Sequence, residues 1–282
     1  MSYRFALITG ATSGIGAAFA RVLPAETHLL LVARNEGRLA EGAAALARPG
    51  REVVTAAADL TTDEGRRAVI DRAEEAGIDL LINNAGRGEL GRIIDHDPEH
   101  ERATVELNVT TPLVLTRALL PGMLARAYVD GGRAGVIILS SQLAFAPVPY
   151  LTTYTATKAF DLVFAEGLAE EMRREPVDVL ALCPGAVKTN FGRRAGFSPG
   201  SLPGALDPET VARDGLRALG RRTIYVPGFG GQTAFSPLVL PRRLAAAGIG
   251  AVMGLVSDRF GRRPASPSVP PLEEEVRTRR GL

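Results

Sequence analysis

The start of this 282-residue chain contains the segment Tyr3-Arg-Phe-Ala-Leu-Ile-Thr-Gly-Ala-Thr-Ser-Gly-Ile-Gly16, which is the most informative about its fold. Its apolar run Phe5–Ile8 predicts a strand that is buried on both faces, and the stretch from Gly14 to Leu23 predicts a helix. Three glycines lie in the turn between them, at Gly10, Gly14 and Gly16. Such a turn exposes backbone amides at a helix N-terminus, where a pyrophosphate binds. The segment therefore predicts the first βα unit of a dinucleotide-binding fold, although a glycine-rich turn without a ligand remains an alternative for this motif alone.

Short apolar runs and longer Ala-, Arg- and Glu-rich stretches alternate along the rest of the chain. The further apolar runs are Leu29–Ala33, Val53–Ala57, Leu80–Ile82, Val136–Leu139, Val177–Leu182 and Thr223–Val226. Strands that alternate with helices form βαβ units and a parallel sheet. Two helices are predicted to begin where an N-capping acid precedes a proline, at Asp97-Pro98 and Asp207-Pro208. The expected fold is α/β, a doubly wound parallel (Rossmann) sheet of about seven strands.

The composition changes twice near the end of the chain. We expect residues 1–230 to form one dinucleotide-binding and catalytic domain, and residues 231–261 to form a helical C-terminal appendage. The Pro/Ser-rich, charged residues 262–282 then predict a flexible tail. Within the appendage, the apolar stretch Leu244–Val256 is too short and too rich in glycine for a membrane span.

Overall composition limits the function further. A net charge of +2 gives no basic field for holding nucleic acid, and 46% hydrophobic residues exclude wholesale disorder. The single cysteine, Cys183, predicts a buried small side chain and suits a reducing compartment, so we expect a cytoplasmic protein. The pair His96 and His100 has metal-ligand spacing, but it lies at a capped helix start without a nearby third ligand. No metal site is predicted.

A second motif, Tyr154-x-x-x-Lys158, follows Ser141 by thirteen positions. Residues four apart share one helix face, so a phenol and an ammonium can point into one cleft. A cation about 4 Å away at an effective dielectric constant near 20 favours phenolate by ~4 kcal/mol. That equals roughly three pKa units, an upper value because burial opposes ionisation. The chain has two lysines among its 33 cations, which suggests that Lys158 has a specific role, although an ordinary amphipathic helix is the alternative.

Taken together, the motifs resemble the short-chain dehydrogenase/reductase superfamily, from about Arg4 to Val226. The resemblance is to its ordinary short branch, which includes bacterial ketoacyl and hydroxysteroid reductases. The matching segments, in chain order, are Thr9–Gly16, Asn83–Gly86, Asn108, Ser141, Tyr154, Lys158 and Cys183–Thr189. The resemblance implies an oxidoreductase in which Ser141 binds the substrate carbonyl and Tyr154 supplies the proton. It implies further that Lys158 assists the tyrosine and binds the nicotinamide ribose, and that Asn108 anchors a water.

The same resemblance implies a set of residues that bind the dinucleotide. Besides Tyr154 and Lys158, these are Gly10, Thr12, Ser13, Gly14, Ile15, Gly16, Arg34, Asp59, Leu60, Asn84, Ala85, Pro184, Gly185, Val187 and Thr189. Coenzyme choice follows from the end of the second strand, where NAD-specific folds place a carboxylate. Here Arg34 stands instead, and a guanidinium binds a ribose 2′-phosphate with charge assistance. We therefore expect NADP(H) in preference to NAD(H), with Glu36 and a solvated Arg34 as the arguments against it.

Apolar residues after the catalytic serine, and a Gly/Pro-rich segment from Gly192 to Gly204, predict a covered apolar substrate site. The residues expected to line it are Leu143, Phe145, Pro147, Val148, Phe191 and Phe197. The expected substrate is a hydrophobic ketone or alcohol of the keto-acyl, steroid-like or polyketide-like kind. The alternative is a non-catalytic NADP-binding regulatory or scaffold protein. A homodimer or other homo-oligomer is expected, with peripheral membrane contact as a minority view.

Overall fold

Seven parallel strands form one sheet in the order β3-β2-β1-β4-β5-β6-β7. The computed structural model describes residues 3–195 and 204–228, together with 246, 248–250, 253 and 254. The strands are β1 Phe5–Thr9, β2 His28–Ala33, β3 Val53–Ala57, β4 Leu80–Asn83, β5 Ala134–Leu139, β6 Val177–Leu182 and β7 Ile224–Tyr225. The predicted doubly wound Rossmann sheet is therefore confirmed. Its chain order reverses beside β1, which pairs with both β2 and β4.

Alternation along the strands divides the core into two layers, one on each face of the sheet. In β1, Phe5 and Leu7 face one apolar cluster, whereas Ala6 and Ile8 face the other. All five residues of this strand are buried. Because both faces are covered, the strand reads as a continuous apolar run rather than an alternating one.

Eight α-helices within the described residues cover the sheet. They are α1 Gly14–Val22, α2 Glu36–Leu46, α3 Asp63–Ala76, α4 Pro98–Val105, α5 Thr111–Asp130, α6 Thr152–Glu171, α7 Phe191–Arg194 and α8 Pro208–Ala218. The π-helical turn Glu106–Thr110 joins α4 to α5. Helices α3, α5 and α6 supply residues to one core cluster, and α1, α2 and α8 supply residues to the other.

The two acid-proline helix starts behave differently. Asp97 caps α4, since its carboxylate accepts a hydrogen bond from the Glu99 backbone amide at 3.0 Å. Asp207 is also the residue before a helix, but within the described part of the chain its side chain makes no capping hydrogen bond. Its carboxylate lies 3.2 Å from Lys188 Nζ instead. The expected side-chain cap at Asp207 is therefore wrong, because a neighbouring cation competes for the carboxylate.

A buried arginine closes the C-terminal end of α1. The guanidinium of Arg51, with 5% of the residue exposed, donates hydrogen bonds to four backbone carbonyls. The acceptors are Thr27 at 2.9 Å, Ala20 at 3.4 Å, Leu23 at 3.1 Å and Pro24 at 2.7 Å. Carbonyls at the end of a helix carry partial negative charge, so a cation there satisfies both hydrogen bonding and the helix dipole. This contact fixes the first helix against the sheet.

The expected appendage at 231–261 falls mostly outside the described residues, and the tail 262–282 lies wholly outside them. The described residues 246, 248–250, 253 and 254 are helical. Among them, Ile249 and Met253 pack against a small apolar cluster of Leu90, Val148 and Leu151. Within the described part of the chain, none of the helices is both long and apolar enough to span a membrane.

Candidate active site

The glycine-rich loop lies at the carboxyl edge of the sheet, between β1 and α1. Gly10 and Gly14 have positive φ angles of 69° and 57°, which glycine adopts at little cost. A Cβ at Gly16 would lie 2.5 Å from both the Asn84 carboxamide nitrogen and the Gly10 carbonyl oxygen. A Cβ at Gly14 would lie 3.1 Å from the Thr189 methyl group. The loop thus packs against two other predicted cofactor segments, those that contain Asn84 and Thr189.

Asn84 and Thr9 tie this loop to the end of β4. The Asn84 carboxamide donates to the Thr9 carbonyl at 2.8 Å, and the Thr9 hydroxyl accepts from the backbone amides of Asn84 and Ala85, both at 2.9 Å. The Asn84 side chain therefore stabilises the loop. Gly86, two residues after Asn84, lies beside Lys158, since a Cβ on this glycine would be 3.6 Å from Lys158 Nζ.

Asn108 lies in the π-helical turn and is 1% exposed. Its side-chain amide donates to the Arg87 carbonyl at 2.8 Å and to the Thr157 hydroxyl at 2.9 Å, while its oxygen accepts from the Arg87 amide at 3.0 Å. Helical turns of this kind occur often at functional sites. Asn108 thus joins the β4 loop to the helix that carries Tyr154 and Lys158.

Ser141 and Tyr154 meet at the same edge. Ser141 follows β5, where its hydroxyl accepts from the Leu143 amide at 3.1 Å and hydrogen-bonds to Tyr154. Tyr154 is in the first turn of α6, with its ring packed under Gly88 and 5.3 Å from the ring of Phe191. The serine hydroxyl and the phenol therefore border one point in space, as a carbonyl oxygen between them requires.

Lys158 lies one turn further along α6 and is buried. Its ammonium donates to the Leu139 carbonyl at 2.6 Å and to the Asp161 carboxylate at 2.9 Å. Although burial lowers the pKa of Lys158, the negative charge of Asp161 raises it, and the net pKa lies above its usual value. Lys158 is therefore protonated at neutral pH.

The pKa of Tyr154 moves in the direction opposite to the one expected from sequence. Burial raises it most, Lys158 and the Ser141 hydroxyl lower it, and Asp161 raises it again, with a net increase. The expectation that Lys158 lowers this pKa by up to three units gave burial too little weight and left out the carboxylate of Asp161. Tyr154 is thus held as a neutral phenol at neutral pH.

Charged residues gather where the adenosine end of a dinucleotide is expected. Arg34 is exposed after β2 and contributes, with Arg87, to a lowered pKa of Asp59, whose main cause is a hydrogen bond from the Thr61 amide. Leu60 is buried beside it. Arg87 was not among the predicted residues, and its position directly after Asn83–Gly86 is the signal that identifies it. Two guanidiniums therefore flank one carboxylate at this end of the site.

The segment after β6 forms the opposite wall. The Gln142 amide donates to the Pro184 carbonyl at 3.0 Å, and a Cβ at Gly185 would lie 2.5 Å from the Gln142 side chain. Val187 is 7% exposed, and Thr189 accepts from the Phe191 amide at 3.3 Å. The glycine thus permits close packing of this wall on the loop after Ser141. Of the remaining predicted residues, Ser13 precedes α1, Ile15 packs partly on the core, and Thr12 is half-buried.

The residues expected to line the apolar substrate site do not all lie in one cluster. Leu143 and Val148 join Leu151 in the small cluster that also includes Ile249 and Met253. Phe145 is half-buried and packs against the main core, so its place in the lining stays a prediction. Pro147 is half-buried, whereas Phe197 and most of the segment Gly192–Gly204 lie outside the described residues.

The loop before α6 carries an unusual backbone conformation. Tyr150 has a φ angle of 68°, which is rare for a residue with a side chain, and its carbonyl accepts from the Gly91 amide at 2.9 Å. Such strain often accompanies functional sites. The loop is thereby joined to the segment after β4, on the side of the site that faces the apolar cluster.

The histidine pair does not form one site. His96 lies 2.5 Å from a Glu101 carboxylate oxygen, whereas His100 contacts the Arg87 guanidinium and lies 3.2 Å from Glu89. Among the residues that the structure describes, there is no group of three or more His, Cys, Asp or Glu side chains placed to hold a metal ion.

Comparisons with known proteins agree with this geometry. The family model described as short chain dehydrogenase matches residues 4–196. Dehydrogenase/reductase SDR family member 7B of Bos taurus is 34% identical over 236 residues, which cover 77% of this chain and 70% of that protein.

Two solved structures extend the likeness over nearly the whole chain. A short-chain dehydrogenase from Sphingobium yanoikuyae, in complex with NADPH, is 33% identical, with a TM-score of 0.71 and coverage of 94% and 98% of the two chains. The bulky-bulky ketone specific alcohol dehydrogenase from Comamonas testosteroni is 29% identical, with a TM-score of 0.67 and coverage of 96% and 100%. The chain therefore belongs to the short-chain dehydrogenase family and is an oxidoreductase of that family.

Proposed function

We propose that this enzyme interconverts a hydrophobic ketone and the corresponding secondary alcohol with NADP(H), and that Tyr154 is its proton donor. The observation that carries the proposal is the meeting of Ser141, Tyr154 and Lys158 at the carboxyl edge of the sheet. Ser141 hydrogen-bonds to the phenol, and Lys158 acts on it electrostatically. A nucleotide-binding scaffold needs none of these proton-handling groups, and the family relatives favour the enzyme.

The residues present fit a dinucleotide. The turn around Gly10, Gly14 and Gly16 has no room for a Cβ at its third glycine. A Cβ at Gly86 would contact Asn108 Oδ1 at 3.4 Å and Lys158 Nζ at 3.6 Å. Backbone amides at the start of α1 suit a pyrophosphate. When bound, the nicotinamide supplies or accepts a hydride at the substrate carbon.

Each catalytic side chain then has a defined task in reduction. Ser141 donates a hydrogen bond to the carbonyl oxygen and fixes its position against Tyr154. The phenol gives its proton to that oxygen as negative charge develops there. Lys158 keeps its ammonium form and stabilises the phenolate that remains. Asn108 holds the Arg87 backbone and Thr157 in place, which keeps the β4 loop aligned with α6.

Replacement of the phenol tests this assignment. Tyr154→Phe keeps the ring and removes the hydroxyl, so we expect consumption of NADPH with apolar ketones to stop while NADPH binding stays close to wild type. Tyr128→Phe is the matched control, since Tyr128 is 62% exposed and contacts Glu175. Full activity of Tyr154→Phe would refute the assigned proton donor.

The coenzyme preference rests on Arg34 and on the neighbouring Arg87. A hydrogen bond to a charged group contributes about 1.5–3 kcal/mol, so Arg34→Ala should weaken NADPH binding roughly 10- to 150-fold. NADH binding should change little, because NADH has no 2′-phosphate. Arg173→Ala is the control, since Arg173 is exposed and follows α6 at the opposite edge of the sheet. Equal losses for the two coenzymes would contradict the assignment.

The substrate class is supported by the apolar cluster beside α6 and by the ring of Phe191 over Tyr154. We expect aliphatic, steroid-like and keto-acyl ketones to give higher kcat/KM than sugar ketones of similar size. A panel of both kinds, followed by NADPH absorbance, decides between them. Faster turnover of the polar ketones would reject the hydrophobic substrate.

The proposal includes a homo-oligomer in the cytoplasm. Exposed apolar residues Val105, Leu113 and Val163 lie on the neighbouring helices α4, α5 and α6, with 42%, 40% and 66% exposure. Apolar side chains of this kind support contact with a second copy. The free thiol of Cys183 suits a reducing compartment. Light scattering on the purified protein measures the molar mass of the oligomer. Val163→Asp should lower that molar mass, because a charged side chain would disrupt an apolar contact between two copies.

A further inference from the structure

A buried carboxylate lies beside the catalytic lysine. Asp161 is one turn after Lys158 on α6, and the side chains of the two residues are 2% and 6% exposed. Their charged atoms are 2.9 Å apart. The roles proposed for Ser141, Tyr154, Lys158 and Asn108 make no use of this carboxylate.

The carboxylate contacts the lysine rather than another element. Its Oδ2 atom accepts from Lys158 Nζ, whereas Oδ1 is buried and has no hydrogen-bond partner within the described residues. Burial of an ion costs several kcal/mol, and within the described residues the ammonium of Lys158 is the group that offsets this cost. The arrangement therefore acts on the ammonium group of Lys158.

The geometry points to Asp161 as a positioning residue: it holds the Lys158 ammonium against the Leu139 carbonyl and limits how strongly that ammonium draws the phenol proton of Tyr154. This inference rests on the proposed function, and it extends the proton-handling group of that site by one carboxylate. Two of the three ammonium protons are directed to Leu139 and Asp161, and the third remains for a ligand beside Gly86.

The other groups around this pair do not obscure its effect. Directly after β6, the thiol of Cys183 faces it, and burial raises the pKa of that thiol to about 12, so it stays neutral. Directly after β5 come the hydroxyls of Ser140 and Ser141, and from the π-helical turn comes the carboxamide of Asn108. On α6 itself, Thr157 is neutral and Glu166 is exposed. On the side of α4, Glu89, His96 and Glu101 line a pocket together with Tyr154. Within the described residues, the charges that shift the pKa of Tyr154 are those of Lys158 and Asp161.

The direction of the effect is set by charge. The negative charge of Asp161 raises the pKa of Tyr154, so its removal should let the phenol ionise more readily. In Asp161→Asn, the alkaline limb of kcat for reduction and the acidic limb for alcohol oxidation should both move to lower pH. Above the limb, the reduction rate falls about tenfold for each pH unit of that movement. Glu170→Gln is the control, since Glu170 is on the same helix with a side chain 74% exposed.

A second measurement needs no turnover. The chain has two lysines, so a protein labelled with ¹³C at lysine Cε gives two signals in a pH titration. The signal of Lys158 should titrate at lower pH in Asp161→Asn than in the wild type. Lys188 lies outside this ion pair, with a side chain that is 54% exposed, and its signal is the internal reference.

The outcomes separate this inference from the proposed function. An inactive wild-type protein would reject the proposed function, and the lysine titration would still test the ion pair. Active wild type with unmoved pH limbs in Asp161→Asn would reject the inference alone. If Asp161→Asn does not fold, Asp161→Leu replaces it, because an apolar side chain of similar size removes the charge without leaving a buried amide. Unchanged titration of Lys158 in either variant also overturns the inference.

Discussion

Gly16→Ala and Gly42→Ala should change stability in opposite directions, although both place alanine in a helix. Gly16 is in α1, where a Cβ would lie 2.5 Å from the Gly10 carbonyl oxygen and from the Asn84 carboxamide nitrogen. Gly42 is in α2 and has no atom within 4 Å of that position. Alanine in a helix interior gains about 1 kcal/mol over glycine. Overpacking costs about 1–3 kcal/mol, and the clash with rigid backbone at Gly16 places it at the upper end.

The expected net effects are a loss of about 2 kcal/mol for Gly16→Ala and a gain of about 1 kcal/mol for Gly42→Ala. Urea unfolding followed by circular dichroism measures both. NADPH titration should also show weaker binding for Gly16→Ala, since Asn84 can yield only by losing its 2.8 Å hydrogen bond to Thr9. If Gly16→Ala matched Gly42→Ala in stability and bound NADPH as the wild type does, the close packing of this loop would be refuted.

Three further predictions concern stability and reactivity. Arg51→Met should lower the free energy of unfolding by about 3 kcal/mol and Tm by roughly 6–12 °C, because four carbonyls, three of them in buried hydrogen bonds, lose a charged donor. Arg48 is exposed, so Arg48→Met should change little in the same thermal scan. Asp79→Ala should cost about 2 kcal/mol in urea unfolding, since its carboxylate accepts from the backbone amides of residues 4 and 5 at 2.8 and 2.9 Å; a loss below the error of the fit would contradict this. Burial raises the pKa of Cys183 to about 12, so at pH 8 its thiolate should be roughly a thousandfold scarcer than in the unfolded chain. Labelling by a thiol reagent should therefore follow unfolding, and fast labelling of the native protein would count against that burial.

Much of the fold and the candidate site follows from local pattern. The runs at Phe5–Ile8 and Val177–Leu182 are apolar because both faces of their strands are covered, so sequence alone marks them as central strands. Strand β5 begins at Ala134, two residues earlier than predicted. The prediction relied on a run of apolar side chains, and Gly135, which packs closely under Tyr3, has none. Motif residues such as Ser141 meet because the carboxyl ends of parallel strands share one edge.

Features that depend on contacts between distant residues were not predictable in this way. The direction of the Tyr154 pKa required knowledge of burial and of Asp161, which sequence shows only as an acid one turn after Lys158. Asp207 has the pattern of a capping residue, yet its partner Lys188 comes from a loop nineteen positions earlier. Phe145 follows the catalytic serine in sequence and packs against the main core, a contact that the sequence does not show. Charge pairs and ring orientation are set by packing, and periodicity carries little information about either.

Ile249 and Met253 contact the loop before α6, so a late segment of the chain packs beside the helix that carries Tyr154 and Lys158. The strand ends and α6 hold the catalytic side chains, whereas Ile249 and Met253 pack on the apolar cluster beside them. We expect substitutions at these two positions to change which substrates are accepted while the catalytic side chains keep their places. Selectivity can then evolve at a few late positions, with the sheet left as it is.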